Sequence, residues 1–239
     1  MILVSFSLYG SNPKYIIGAL KNAEEINSLG SEWKSIFYIG SEISHEIETE
    51  LVNFGAMVQR QEEFWHKNGM FWRFMAIHRL DYDFVIFRDV DSRISQRELA
   101  AVYQWISSKK ILHVLRDHPH HNAIILGGLW GVTQAAKNAK IVWENTFKYG
   151  VNHGEDQVFL AIEVYPALRK SVHLNDSFFT VLPSKSKFPT ERIGFSYVGE
   201  SLDEDDSFDE TLRLVLEDYL LSRFKRIKLK LTFLAHKIF

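Results

Sequence analysis

Phe84-Val85-Ile86-Phe87-Arg88-Asp89-Val90-Asp91-Ser92-Arg93 holds most of what this chain says about its fold. Four consecutive apolar residues suit a strand covered on both faces, the condition of parallel strands in α/β proteins. Two carboxylates spaced by one residue follow where that strand ends. In open α/β sheets, ligands gather beyond the carboxyl ends of the strands. A second Asp-x-Asp, Asp81-Tyr82-Asp83, precedes the strand and therefore reads as a solvated turn.

Upstream of this stretch the pattern is β-α-β-α-β. Ile2–Leu8 is a short apolar run that ends in the turn cluster Tyr9-Gly10-Ser11-Asn12-Pro13. Between Tyr15 and Leu29, Ile16, Ala19, Leu20, Ala23 and Ile26 share one helical face, and Gly30 stops the helix. Ser35–Ile39 reads as a second strand. Ile43, Ile47 and Leu51 mark a second helix, closed by Gly55, and Ala56–Gln61 a third strand. A further helix is expected over Phe71–Arg79. This alternation predicts a three-layer α/β/α sandwich around a mostly parallel sheet.

Downstream, Ser95-Gln96-Arg97-Glu98 is a capping-box pattern before Leu99, Val102 and Ile106 at helical spacing. Ile111–Leu115 and Ala123–Leu126 are expected strands; Ala135–Tyr149 and Gln157–Val164 are expected helices. The expected domain spans residues 1–200. Residues 201–239 form a tail, first an acidic loop over Ser201–Glu210, then a basic amphipathic stretch. That stretch suits a partner helix or an interfacial membrane helix.

Composition narrows the chemistry. The chain has 239 residues, a net charge of -2 and no cysteine. Disulfides, thiol catalysis and Cys-ligated zinc are excluded, and no global charge favours nucleic acid. No apolar run reaches membrane-spanning length, and the apolar start has no basic n-region. A cytoplasmic location is expected, with membrane association through the tail as its extension. No Gly-x-x-x-x-Gly-Lys-Ser/Thr is present, which argues against a P-loop NTPase.

Paired carboxylates leaving a strand can converge on one hard cation, Mg²⁺ or Mn²⁺. Such an ion keeps waters and bridges to a substrate phosphate, and a diphosphate leaving group fits that role. Gly127-Gly128 allows close backbone approach to a ligand, or else a tight turn. Glu155 and Asp156 suit proton transfer, or else the start of a helix, where the dipole favours them. Arg116-Asp117-His118-Pro119-His120-His121 reads as a surface or ligand-facing loop rather than a zinc site. Trp65, Trp72 and Trp130 are core or sugar-stacking aromatics.

The 84–93 stretch also resembles the DxD segment of GT-A-fold glycosyltransferases. Asn68-Gly69-Met70-Phe71-Trp72-Arg73-Phe74 precedes it. Arg116-Asp117-His118-Pro119-His120, Ile125-Leu126-Gly127-Gly128-Leu129-Trp130-Gly131 and Gly154-Glu155-Asp156-Gln157-Val158-Phe159-Leu160 follow in that family's order. The resemblance implies a GT-A-like fold, a Mn²⁺ or Mg²⁺ cofactor, a nucleotide-sugar donor and a glycan or lipid-linked acceptor. It implies Asp89 and Asp91 as metal ligands, Asp91 the more direct, with His173 as a third. It implies Ser5, Phe6 and Ser7 against the nucleoside, and Arg73 at the diphosphate or donor. Asp117 would bind donor-sugar hydroxyls, Gly127 and Gly128 would lie by the donor, and Asp156, with Glu155 beside it, would be the catalytic base. The alternatives are another Mg²⁺- or Mn²⁺-dependent nucleotide-handling enzyme, such as a nucleotidyltransferase, and a non-catalytic sugar-binding protein of the same fold.

Overall fold

The computed structural model describes residues 1–61, 69–79, 81–141, 143–150, 152–179 and 185–235. Strands β1 (Ile2–Leu8), β2 (Trp33–Ile39) and β3 (Met57–Arg60) alternate with helices α1 (Pro13–Ser28) and α2 (His45–Asn53). Asn12 starts α1 by accepting the Lys14 N–H, and Pro13 occupies the first turn, where its missing donor costs nothing. A 3-10 helix, Gly69–His78, then leads to β4 (Phe84–Arg88) and α3 (Gln96–Ser108). Strands β5 (Leu112–Arg116) and β6 (Leu129–Thr133) are followed by 3-10 helices Gln134–Asn138 and Trp143–Lys148. After α4 (Glu155–Phe159) the chain widens into a π-helical turn, Leu160–Val164, before α5 (Tyr165–Leu168). Strands β7 (Val172–Asp176) and β8 (Lys185–Ser186) and helices α6 (Glu210–Leu221) and α7 (Arg223–Ala235) complete the order.

The strands form one sheet in the order β3-β2-β1-β4-β6-β5-β7-β8. Every pairing is parallel except those of β6, which runs antiparallel between β4 and β5. Alternation along the strands separates two apolar layers. Leu3, Ile36, Val85, Phe87, Val114 and Trp130 face the Gly69–His78 helix, α4 and the turns that follow it, meeting Phe71, Phe74, Phe159 and Leu160. Val4, Phe6, Phe37 and Ile86 face the other way, toward Ala19 and Ala23 of α1 and Leu99, Val102 and Trp105 of α3. Each such side chain stabilises the fold by roughly 1.5–3 kcal/mol on burial. The expected three-layer sandwich with a mostly parallel sheet is therefore what forms.

Local expectations failed where backbone partners lay elsewhere. No strand covers Ala123–Leu126. The Leu129 N–H donates to the Leu126 carbonyl, closing a turn, and the carbonyls of Gly127 and Gly128 accept from Trp130 and Arg88 side chains. The antiparallel strand β6 begins only after that turn. The single helix expected over Ala135–Tyr149 is broken, because Ala139 is extended at ψ 146° between the two 3-10 helices. The capping box at α3 is half formed. Ser95 Oγ accepts the Glu98 N–H at 3.2 Å, but the Glu98 carboxylate turns inward to Arg88, at 3.1 Å.

The tail packs onto the domain. Leu216 of α6 joins Phe178, Phe179 and Tyr197, and Leu229 and Phe233 of α7 pack against the same cluster. Among the described residues, no helix is long and apolar enough to cross a membrane.

Candidate active site

The cleft at the carboxyl ends of the strands is set by the register of β1 against β4. Ser5 lies opposite Phe87, so Ser7 and Asp89, two residues further along each strand, emerge at one edge. Both line the cleft, with Asp91 beside them. The Gly69–His78 helix is held there by two serines. Ser5 Oγ donates to the Arg73 carbonyl at 2.7 Å, and Ser7 Oγ accepts the Arg73 N–H at 2.9 Å.

Those bonds aim the buried Arg73 guanidinium between two carboxylates. It donates to Asp89 Oδ1 and, at 2.8 Å, to Asp156 Oδ2. Asp89 is half exposed at the cleft, whereas Asp156 is buried. Desolvation pushes the Asp89 carboxyl up, but Arg73, with Arg88 and His153, outweighs it and holds the group below the usual carboxylate range. Asp156 lies in the first turn of α4, where its Oδ1 also accepts the Gln157 N–H at 2.9 Å.

Gly127 and Gly128 permit this convergence. A Cβ on Gly127 would fall 1.9 Å from Asp156 Oδ2, and one on Gly128 would fall 2.0 Å from Asp89 Oδ2. Neither distance is compatible with a side chain, so close approach and not turn geometry alone explains the pair.

Asp91 reaches the cleft from the loop beyond β4. Its Oδ2 accepts Ser201 Oγ–H at 2.8 Å and lies 3.4 Å from Lys14 Nζ. Two carboxylates beside an open cleft fit a divalent cation of the Mn²⁺ or Mg²⁺ class, which takes one or two protein carboxylates together with substrate phosphates and water. No group of three or more metal-binding side chains occurs among the described residues. Asp89 and Asp91 would hold the ion, in competition with the cationic groups of Arg73 and Lys14.

Four other expected site residues do not reach the cleft. His173 sits second in β7, level with His113 of β5, far back from the carboxyl edge, with its Nε2 3.3 Å from Gln104 Oε1 of α3. It is not a third ligand for an ion at Asp89 and Asp91. Phe6 points to the opposite face of the sheet from Ser5 and Ser7 and stacks on Phe37 at 4.7 Å. Asp117 is fully buried, its oxygens taken by Arg97, Arg192, Ser177 and the Val198 N–H, so none remains for a sugar hydroxyl. Glu155 precedes Asp156 but does not line the cleft. Trp130 is core, 4.2 Å from Phe87, Trp72 packs edge-on to Tyr9, and Trp65 lies outside the described residues.

The cleft also contains Tyr9, Tyr15, His121, His153 and Gly199. Tyr9 directly follows β1, so its position at the carboxyl edge was readable; desolvation raises its hydroxyl pKa. His121 Nδ1 accepts the Asp117 N–H at 3.1 Å, which leaves the proton of the neutral ring on Nε2. Burial holds its pKa well below the ordinary histidine value.

No family model and no curated protein matches the chain. Among solved structures it is similar to glucosyl-3-phosphoglycerate synthase from Mycobacterium tuberculosis bound to phosphoglyceric acid, with 13% identity, 73% of this chain and 68% of that one covered, and a TM-score of 0.49. The complex of that synthase with Mn²⁺, uridine diphosphate and glucosyl-3-phosphoglycerate gives 13% identity, 73% and 68% coverage, and a TM-score of 0.48. TarS 1-349 of S. aureus gives 13% identity, 74% and 58% coverage, and a TM-score of 0.49.

Proposed function

We propose that this chain is a metal-dependent glycosyltransferase that moves a sugar from a nucleoside-diphosphate sugar to a glycan or lipid-linked acceptor. The observation that carries this reading is the convergence of Asp89, Asp91, Arg73 and Asp156 in one cleft, against the bare backbone of Gly127-Gly128. A bound Mn²⁺ or Mg²⁺ supplies Lewis-acid stabilisation of the departing diphosphate. Asp89 and Asp91 hold the ion, while Arg73 adds fixed positive charge beside them. The glycine backbone lets the donor approach without a Cβ in the way. Ser7, Tyr9 and Tyr15 line the same cleft, and the two rings offer flat surfaces for a base or sugar.

Asp156 is the group that takes the proton from the acceptor hydroxyl. Its Oδ2 accepts from Arg73 and its Oδ1 from the Gln157 N–H, which hold the carboxylate in one orientation at the cleft wall. Removing a positioned base typically costs about 10²–10⁴ in rate.

Turnover of a panel of nucleoside-diphosphate sugars, with Mn²⁺ and then with excess chelator, tests the reading. Activity on at least one donor, abolished by chelation, is expected. Asp156→Asn should lower kcat by about 10²-fold or more with little change in donor affinity. A full panel without metal-dependent turnover would contradict the proposal, and unaltered kcat would remove Asp156 from the chemistry.

A further inference from the structure

Helix α7 has two apolar faces, and among the described residues only one of them is packed. Leu229 and Phe233 pack on the Phe178–Phe179 cluster, and the Arg116 guanidinium lies 5.0 Å from the Phe233 ring. Facing away from the domain, Phe224 is 76% exposed, Ile227 49% and Leu231 62%. At 3.6 residues per turn these three fall within about 60° of arc. Leu221, just before the helix, is 78% exposed. A monomeric surface has no reason of its own to present such a stripe.

The charge around the stripe indicates its occupant. Residues 223–235 contain Arg and Lys but no Asp or Glu. Projected around the helix, Lys230 lies on one side of the apolar stripe, and Lys228 and Lys225 on the other. Among the described residues, Asp218 of α6 is the acidic partner of the helix and pairs with Lys225. Apolar side chains bordered on both sides by lysines match the boundary between acyl chains and anionic headgroups. At about 1.5 Å per residue the helix is too short to cross a bilayer, so it would lie in the plane of the interface.

We infer that α7 docks the protein on an anionic lipid surface. The first turn of α6, the helix that precedes α7, borders the cleft. His118, beyond β5, donates from Nε2 to the Leu212 carbonyl of α6 at 2.9 Å. Arg213 of α6 pairs with Glu200 at 2.6 Å, next to the cleft residue Gly199. Docking through α7 would tether the part of the chain that carries the cleft to the lipid surface. If the proposed transfer takes place there, the acceptor is of the lipid-linked class; that consequence rests on the proposed function, whereas the docking does not.

Co-sedimentation of the full chain with phosphatidylcholine vesicles, with and without phosphatidylglycerol, tests the docking. Binding to the anionic vesicles is expected, weakened at least about tenfold in about 1 M salt, where the screening length is ~3 Å. The triple variant Phe224→Ser, Ile227→Ser, Leu231→Ser should bind at least about tenfold more weakly. Its melting temperature should be unchanged, because all three side chains are exposed. The pair Lys228→Glu, Lys230→Glu should reduce binding to anionic vesicles without touching the apolar stripe. Absence of wild-type protein from anionic vesicles, or equal binding by the triple variant, would overturn the inference. So would self-association that the triple variant abolishes, since the stripe would then belong to a second copy of the chain. Nucleoside-diphosphate binding with Mn²⁺, measured without vesicles, reports on the proposed function separately.

Discussion

Gly128 sits where the strictest steric condition in the cleft applies. A Cβ there would meet Asp89 Oδ2 at 2.0 Å and the Asp89 backbone nitrogen at 2.9 Å, so displacement of the side chain alone cannot relieve it. Gly128→Ala is therefore expected to destabilise the fold by about 1–3 kcal/mol and to move Asp89 away from Arg73. Denaturant unfolding beside Mn²⁺ titration checks both effects; wild-type values in the two measurements would show that the contact is not required. At this scale the site was partly legible. Asp89 and Asp91 could be chosen over Asp81 and Asp83 because strand polarity separates the two pairs. Phe6 could have been rejected by the same alternation that placed Ser5 and Ser7 together. Asp117 could not, because its partners Arg97, Ser177, Arg192 and Val198 are brought to it only by the fold. His173 was misplaced because nothing in its neighbourhood marked β7 as a strand or set its register with β5.

Among the elements, α3 shows how a local motif is divided between two tasks. Ser95 caps the helix, and its Oγ is the expected partner of the Glu98 N–H. The other half of the box is absent because Glu98 is fully buried beside Arg88, the residue preceding Asp89. Ser95→Ala should thus cost about 1 kcal/mol, the ordinary value of one cap, and leave the cleft intact. Chemical denaturation measures the loss; a cost several times larger would mean that Ser95 supports the Arg88–Glu98 pair as well. Elements with a clear period were legible. β1 occupies the predicted Ile2–Leu8, and Ala19, Ala23 and Ile26 of α1 and Leu51 of α2 are buried on the predicted faces. β6 was not legible, since its start depends on a turn closed between Leu126 and Leu129 and on two side chains that take the glycine carbonyls. The break between the 3-10 helices at Ala139 likewise carries no Gly or Pro to announce it.

For the whole molecule, burial of histidine predicts sensitivity to acid. Desolvation lowers His113 to about 3 and His118 to about 4, and lowers His121 well below its ordinary value. In the unfolded chain these groups titrate near 6.5, so below that pH the unfolded state binds more protons. The stability they contribute is complete well above pH 6.5 and is lost progressively as pH falls from there toward the folded values, by up to about 1.4 kcal/mol per pH unit for each histidine. Glu98 acts in the opposite direction. Burial, partly offset by Arg88, raises it to about 6, so its contribution is present at low pH and is lost as pH rises from the unfolded value through about 6. Three histidines outweigh one carboxyl, and the unfolding free energy should fall by more than about 2 kcal/mol between pH 7 and pH 5. Urea titrations at the two pH values would expose the error if stability were flat or rose on acidification. Whether the cleft that this sheet assembles holds a metal-bound nucleotide is tested most directly by calorimetry of a nucleoside-diphosphate panel with Mn²⁺ on wild type and Asp91→Asn. Binding of at least one nucleotide is expected to require the metal and to weaken by about a hundredfold or more in the variant, with the melting temperature preserved. Binding that survives both chelation and Asp91→Asn would contradict it.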